Sequence, residues 1–324
     1  MRWKIKQIIK KYRRLSLWLA YRMSRAAANV YRKILGSYDF GTYILLFPYD
    51  WLGDAFYVFS KLNTYLGLKK IIRYEIYVIN YKHKEIAEMF GFEAKIISRH
   101  NMKQLMRYFT AIGQTCGLKV LIMHHDPQFV RCNHANNWYK DNNYNLGSLL
   151  DYVVFDGNHI RSACPCGFLL RHQAEHLLRD KGLTPGKTIV ISPVSYTLHN
   201  DDVYFWMDLI ERAKSIGYKV CCTLSPEEPD PYGIPAIKVG LKDISTIVES
   251  AGYFVGSRSG LCDILAFSEC RKIILYSKDC SERDKQYFDL NDIWHTHDFT
   301  ELRLSGNNES DIDKILLFLK RKRK

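Results

Sequence analysis

Apolar residues recur along this chain in two habits: short runs of three to five, and stretches in which they return every three or four positions. The first habit marks a buried strand, the second an amphipathic helix. Tyr43-Ile44-Leu45-Leu46-Phe47 is a run of the first kind, and after a turn at 48–54 a helical pattern occupies 55–66. Further strands are expected at 76–79, 95–97, 119–123 and 152–155, with helices at 84–90 and 102–112. A helix at 168–178 leads into Gly182-Leu183-Thr184-Pro185-Gly186-Lys187, a polar connector marked by Pro and Gly. The alternation then restarts, with strands at 188–191, 219–223, 237–239, 253–255 and 272–276. Helices at 203–215 and 244–250 lie between them, one opens at Leu261, and an amphipathic helix closes the chain at 310–319.

Strands separated by helices imply parallel β-α-β units with right-handed crossovers. The expected class is therefore α/β, with two Rossmann-like, doubly wound domains facing a cleft. They span 37–180 and 187–305, flanked by a basic amphipathic helix at 1–36 and by a helix and basic tail at 306–324. No repeat of fixed period is present.

Composition supports a globular chain: 324 residues, 47% hydrophobic and 25% charged. The net charge of +13 suggests nucleic acid until it is located along the chain. Residues 1–36 hold eleven Lys or Arg and no acid, and 320–324 add five more bases, leaving 31 bases against 34 acids in 37–319. The body is not basic, so a protein-wide groove for a nucleic-acid backbone is unsupported, and the acidic body argues against nucleic-acid binding through the two basic termini. In the first 36 residues Ile5, Ile8, Ile9, Tyr12, Leu15 and Leu19 form an apolar stripe with cations on the other positions. Such a helix suits the headgroup region of an anionic membrane, where each cation near the surface is worth about 1 kcal/mol. Packing of that helix on the protein's own body is the alternative. The apolar stretch is too interrupted for a signal peptide, and no run reaches the ~18 residues of a transmembrane span.

Nine cysteines, odd in number and irregularly spaced, suit a reducing cytoplasm better than a disulfide framework. Cys164-Pro165-Cys166 with His159, His172 and His176 nearby lacks the spacing of a zinc module, so neither a metal nor a cofactor is expected. A dinucleotide fold would carry G-x-G-x-x-G after a strand, and none is present.

In open α/β sheets ligands bind beyond the carboxyl ends of the strands. In the second domain those ends carry Ser192 and Ser195, Thr223, Gly240, and the turn Gly256-Ser257-Arg258-Ser259-Gly260 opening the helix at Leu261-Cys262-Asp263. A turn of small residues before a helix offers unpaired backbone N–H groups and the positive end of the helix dipole, to which Arg258 adds a full charge. The natural occupant is a phosphate or diphosphate, and a plain turn with Ser259 capping the helix is the alternative. In the first domain the ends carry Asp50, Gly53-Asp54, and His124-His125-Asp126-Pro127.

These patches resemble a known family. Leu45-Leu46-Phe47-Pro48-Tyr49-Asp50-Trp51-Leu52-Gly53-Asp54 is similar to the N-terminal strand, turn and Gly-Asp of GT-B glycosyltransferases, specifically the bacterial lipopolysaccharide heptosyltransferases and their capsule and O-antigen relatives. Ser259-Gly260-Leu261 resembles the Ser-Gly or Thr-Gly before their donor-diphosphate helix. The chain departs by carrying Arg258 where an acid is common and Cys262-Asp263 where a His is common.

The resemblance implies transfer of a sugar from a nucleotide donor to a lipid-linked or surface-polysaccharide acceptor, inverting and metal-independent, on the inner face of a membrane. In that reaction Asp54 is the expected base, with Asp50 as the fallback, and His124 or His125 orients the acceptor. Ser192, Ser195, Thr223, Gly240, Ser257, Arg258, Ser259, Gly260, Leu261 and Asp263 form the donor site. Two alternatives stand beside this reading: Asp54 as a helix N-cap, and a non-catalytic nucleotide-binding scaffold with the same fold.

Overall fold

The computed structural model of the protein describes residues 29–30, 32–36, 39, 41–112, 119–124, 144–167, 169–193, 203–223 and 232–320. Most of the expected basic helix lies outside them, as do His125, Ser195 and the basic tail at 321–324.

The first half runs β1 (Tyr43–Phe47), α1 (Leu52–Leu68), β2 (Tyr74–Val78), α2 (Tyr81–Met89), β3 (Ala94–Ile96), α3 (Arg99–Ile112), β4 (Val120–Ile122), α4 (Leu146–Val154) and α5 (Arg171–Asp180). Its strands form one parallel sheet in the order β3-β2-β1-β4, with Phe47 opposite Val78 and Leu46 opposite Ile122.

The second half runs β5 (Thr188–Ser192), α6 (Val203–Ser215), β6 (Lys219–Thr223), β7 (Ala236–Ile237), α7 (Leu241–Ala251) and β8 (Gly252–Ser257). It continues through α8 (Gly260–Ile264), a 3-10 turn at Leu265–Phe267, β9 (Arg271–Tyr276), α9 (Glu282–Phe288), α10 (Leu290–Trp294), β10 (Phe299–Arg303) and α11 (Asn308–Lys320). All its strands are parallel, in the order β10-β9-β8-β5-β6-β7. Both orders reverse direction at the first strand of the half, which is the doubly wound arrangement expected from the sequence.

The structure corrects one expected strand. Residues 152–155 belong to α4 and its C-terminus, not to a strand. Leu146, Leu149, Leu150 and Val154 are buried at helical spacing, and the Asn145 side chain accepts from the Ser148 N–H to cap the helix. Four consecutive apolar residues viewed alone mimic a strand because the period is legible only over two turns. The converse happened at β10, whose Phe-Thr-Glu-Leu-Arg sequence alternates too weakly to stand out and is held as an edge strand against β9.

Side-chain alternation on the strands divides the core. Leu45 and Phe47 of β1, Val190 of β5, Phe254 of β8 and Ile274 of β9 share one apolar cluster with α1, α2, α4, α5 and α7, so a single core runs through both halves. The opposite faces pack separately: Ile44 and Leu46 against α3, and Ile189, Ile191, Val255 and Ile273 against α6 and α11. Near the junction the Trp294 ring sits 5.5 Å from Phe56, 5.2 Å from Tyr57 and 5.5 Å from Phe267, joining α10 to α1. Tyr57 and Lys61 of α1 then grip Asp151 of α4, with Lys61 Nζ 2.6 Å from Asp151 Oδ1 and the whole trio buried.

Candidate active site

Where the strand order reverses, adjacent connections leave on opposite faces and open a crevice past the carboxyl ends. In the first sheet that point lies between β1 and β4, in the second between β5 and β8. Most of the site residues expected from the sequence fall at these two points.

At the first point the β1 loop and the β4 end are joined by rings: His124 lies 4.8 Å from Tyr49, tilted by 36°. Helix α1 begins at Leu52 with Trp51 in the cap position, and Trp51 makes no side-chain cap bond. Asp54 therefore stands two residues inside the helix, in its first turn, and the capping alternative is set aside. It is 7% exposed. Burial, with the Asp54 charge beside it, pushes the Tyr49 phenol well above its usual range, so Tyr49 stays an O–H. Asp50 pairs with Arg99 of α3. Beneath the loop lies His83 of α2, 1% exposed, its ring nitrogens making no hydrogen bond of normal geometry among the described residues; the Trp51 backbone is the polar group that faces it. Burial lowers the His83 pKa to about 4.

The second point is built differently, and Arg258 shows this most clearly. Expected to face a diphosphate, it is buried and spent on its own fold. Its Nε donates to Phe288 O at 2.9 Å, and one terminal nitrogen donates to Ser259 O at 2.8 Å and Asp263 Oδ2 at 2.7 Å. The other terminal nitrogen reaches Asp263 Oδ1 at 3.3 Å. Burial acts against the guanidinium charge, but the Asp263 carboxylate outweighs it and raises the Arg258 pKa.

Asp263 also accepts from Trp294 Nε1 at 3.1 Å, so it too points inward. The Tyr276 hydroxyl lies 3.0 Å from Phe288 O and 2.6 Å from Glu301 Oε2, extending the buried network. Ser257 donates to Pro193 O at 2.8 Å, bonding the β8 end to the β5 loop across the switch point. Ser192 is buried at the end of β5, and Thr223 is half-buried at the end of β6. Ser259 occupies the cap position of α8, yet its hydroxyl makes no cap bond and rests 3.8 Å from Cys262 Sγ.

The two switch points touch. A Cβ on Gly260 would lie 2.7 Å from Gly53 N and 2.9 Å from Leu52 Cβ, and one on Gly53 would overlap Asp263 Oδ2. Only glycine at both positions lets the start of α8, with Leu261 beside it, lie on the start of α1. Thus Gly53-Asp54 and Ser259-Gly260-Leu261, distant in sequence, form one locus.

A second crossing joins α2 to α7. A Cβ on Gly240, the cap residue of α7, would lie 2.5 Å from Glu85 Oε1, so that carboxylate sits at the start of α7. Burial raises the Glu85 pKa, while the Leu241 N–H and Lys242 act the other way. Neither Glu85 nor His83 was singled out from the sequence, because each reads as an ordinary position on an amphipathic helix. Among the described residues no group of three His, Cys, Asp or Glu is arranged to hold a metal, and Cys164 and Cys166 are exposed free thiols.

No protein-family model matches this chain, and no curated protein matches its sequence. Solved structures match it in backbone. A glycosyl transferase family 9 protein from Veillonella parvula superposes over 88% of this chain and 99% of its own, at a TM-score of 0.58 and 13% identity. The E. coli ADP-heptose LPS heptosyltransferase II covers 86% of this chain and 98% of its own, at 0.55 and 11%. The fold is that of these glycosyltransferases. E. coli heptosyltransferase WaaC, solved with ADP-2-deoxy-2-fluoro heptose, shares it at a TM-score of 0.51 and 11% identity, over 86% of this chain and 99% of its own. The heptosyltransferase-type fold thus extends across both sheets and the junction between them. Among the described residues no helix is long and apolar enough to cross a membrane.

Proposed function

We propose that the protein is a glycosyltransferase that moves a sugar from a nucleotide-sugar donor to a lipid-linked or surface-polysaccharide acceptor, with inversion and without a metal. The observation that carries this reading is the meeting of Gly53-Asp54 with Ser259-Gly260-Leu261 at the carboxyl ends of two sheets in a glycosyltransferase fold.

The chemistry needs a base on one side and an anion cradle on the other. Sugar transfer passes through an oxocarbenium-like state while charge builds on the departing diphosphate. Asp54 takes the proton of the acceptor hydroxyl, with the Tyr49 O–H beside it and His124 orienting the acceptor. First-turn N–H groups of Ser259, Gly260 and Leu261 receive the diphosphate, and Ser192, Ser195 and Thr223 contact the rest of the donor. Arg258 and Asp263 serve this site by fixing the turn. His125 takes part in acceptor binding, and the basic stretch at 1–36 holds the cleft beside an acceptor in the inner membrane face.

The test is thermal denaturation of the full chain with a panel of nucleoside diphosphates and nucleotide sugars, followed by a transfer assay with any that bind. A ligand at 100 times its Kd stabilises by about 2.7 kcal/mol, so one member of the panel is expected to raise Tm by several degrees. If none does, the donor site is not where this reading puts it. A ligand that binds but is neither hydrolysed nor transferred supports a non-catalytic scaffold instead.

A further inference from the structure

Helix α1 ends in a Schellman turn. The Ile71 N–H donates to Leu66 O at 2.9 Å and the Lys70 N–H to Gly67 O at 3.0 Å, with Lys70 in the left-handed region at φ 54°. Glycine is the usual residue there, because a side chain at positive φ carries strain. The turn sets the direction of its neighbours: Ile71 folds into the core, while Leu68 and Ile72 stay outside it, 60% and 88% exposed. An isoleucine this exposed contributes little to the fold.

Cations surround these two side chains. Lys69, Lys70 and Arg73 are exposed in the same turn. The Tyr43 N–H donates to Arg73 O and the Ile44 N–H to Lys119 O, so Arg73 and Lys119 flank the start of β1 at the amino ends of the first sheet. Lys69 pairs with Asp156 at 2.7 Å and Asp39 faces Arg73 and Lys119, whereas Lys70 has no acid partner among the described residues. Four bases against two acids leave this patch positive, although the body as a whole carries more acids than bases. The chain from the basic stretch at 1–36 also enters β1 at this end.

We propose that the α1–β2 turn is a membrane-docking tip, in which Leu68 and Ile72 enter the acyl boundary of an anionic lipid surface and Lys69, Lys70, Arg73 and Lys119 meet its headgroups. The pairing of exposed aliphatic side chains with cations favours lipid, since a nucleic-acid backbone would leave Leu68 and Ile72 in water. This inference rests on the membrane placement given under the proposed function and extends it from the basic stretch to the folded body. The candidate site, at the carboxyl ends, would stand a strand length of roughly 17 Å from the headgroups, which suits an acceptor sugar that projects from the bilayer.

The test is partitioning of the full chain onto vesicles of phosphatidylcholine mixed with phosphatidylglycerol, and onto phosphatidylcholine alone. The parent is expected to bind the mixed vesicles more tightly, and they are expected to slow amide exchange over residues 67–73. Leu68→Ser with Ile72→Ser should lower the partition coefficient at least tenfold, the size of withdrawing an aliphatic side chain from an apolar phase. Lys70→Gly should lower it about fivefold while Tm stays the same or rises, because it removes a charge and relieves the left-handed strain. The thermal shift of each variant with nucleoside diphosphates should match the parent's, so loss of the tip and loss of the transferase reading are read separately. Unchanged partitioning of both variants, or slowed exchange confined to residues 1–36, overturns the tip and leaves the basic stretch as the membrane contact. Equal binding to phosphatidylcholine alone overturns the anionic lipid, and a dimer in sedimentation that Ile72→Ser dissolves assigns the face to a second copy instead.

Discussion

The two switch points are alike in topology and opposite in how they spend their polar side chains. At the β1/β4 point Asp54 is buried in a first helical turn beside a protonated Tyr49, and the His124 ring lies tilted against that same tyrosine. At the β5/β8 point they are folded inward, with Arg258 closed on Asp263 and Ser257 on the Pro193 carbonyl. The difference is that the charged side chains of the second point are consumed by bonds within its own turn, while Asp54 and Tyr49 of the first are buried side by side. The charged residues of the second point stabilise its turn, so under the proposed function it is backbone N–H that meets the donor.

The sharpest way to break that comparison is Asp54→Asn. Asn keeps the size but cannot take a proton, so turnover should fall by about 10²–10⁴-fold while Tm stays close to the parent's, measured by transfer assay and calorimetry. An active variant would move the base to Asp50 or to His124.

Arg258→Met should do the reverse. Removing one partner of a buried ion pair costs about 3–5 kcal/mol, because Asp263 is left charged and buried, so denaturant unfolding should show a large loss of stability. The double variant Arg258→Met with Asp263→Leu should recover much of it. Retained stability with lost nucleotide binding would instead make Arg258 the phosphate ligand first expected.

Beneath the first point, His83 predicts a pH dependence. The unfolded chain takes up its proton near pH 6.5 and the folded chain near pH 4, so the unfolded state binds more protons between those values. Stability is therefore full above about pH 6.5 and is lost as pH falls through about 4, by roughly 3 kcal/mol in all. Chemical denaturation across that window should show the slope, and His83→Phe should flatten it.

The smallest effect is expected at Ser257→Ala. It leaves the Pro193 carbonyl without this donor and should cost about 1 kcal/mol, with no change in turnover beyond twofold. A large loss of nucleotide affinity in this variant would mean that the β8 end contacts ligand directly.

The strands of both halves were legible because β1, β5 and β9 are buried on both faces, and such strands are continuous apolar runs. The helix at 203–215 stood out because its apolar stripe persists for three turns. Residues 152–155 misled because a short apolar run has no period of its own, and β10 escaped because an edge strand needs only one good face. In the candidate site, the Gly-Asp and Ser-Gly turns were visible as small residues at strand ends.

What the sequence determined by itself was therefore the alternation of strand and helix, the two parallel sheets, the confinement of positive charge to the termini, and which turns lie at the carboxyl ends. These follow from side-chain period and chain order, which are local. Tertiary structure decided the direction in which each side chain at those turns points. The Arg258 side chain can reach either outward to an anion or inward to Asp263, and only packing of α10 against α1, with Trp294 and the Phe288 carbonyl already in place, makes the inward bonds available. Glu85 is the same case: a surface glutamate on α2 until α7 is laid beside it, when Gly240, having no side chain, leaves room for its carboxylate.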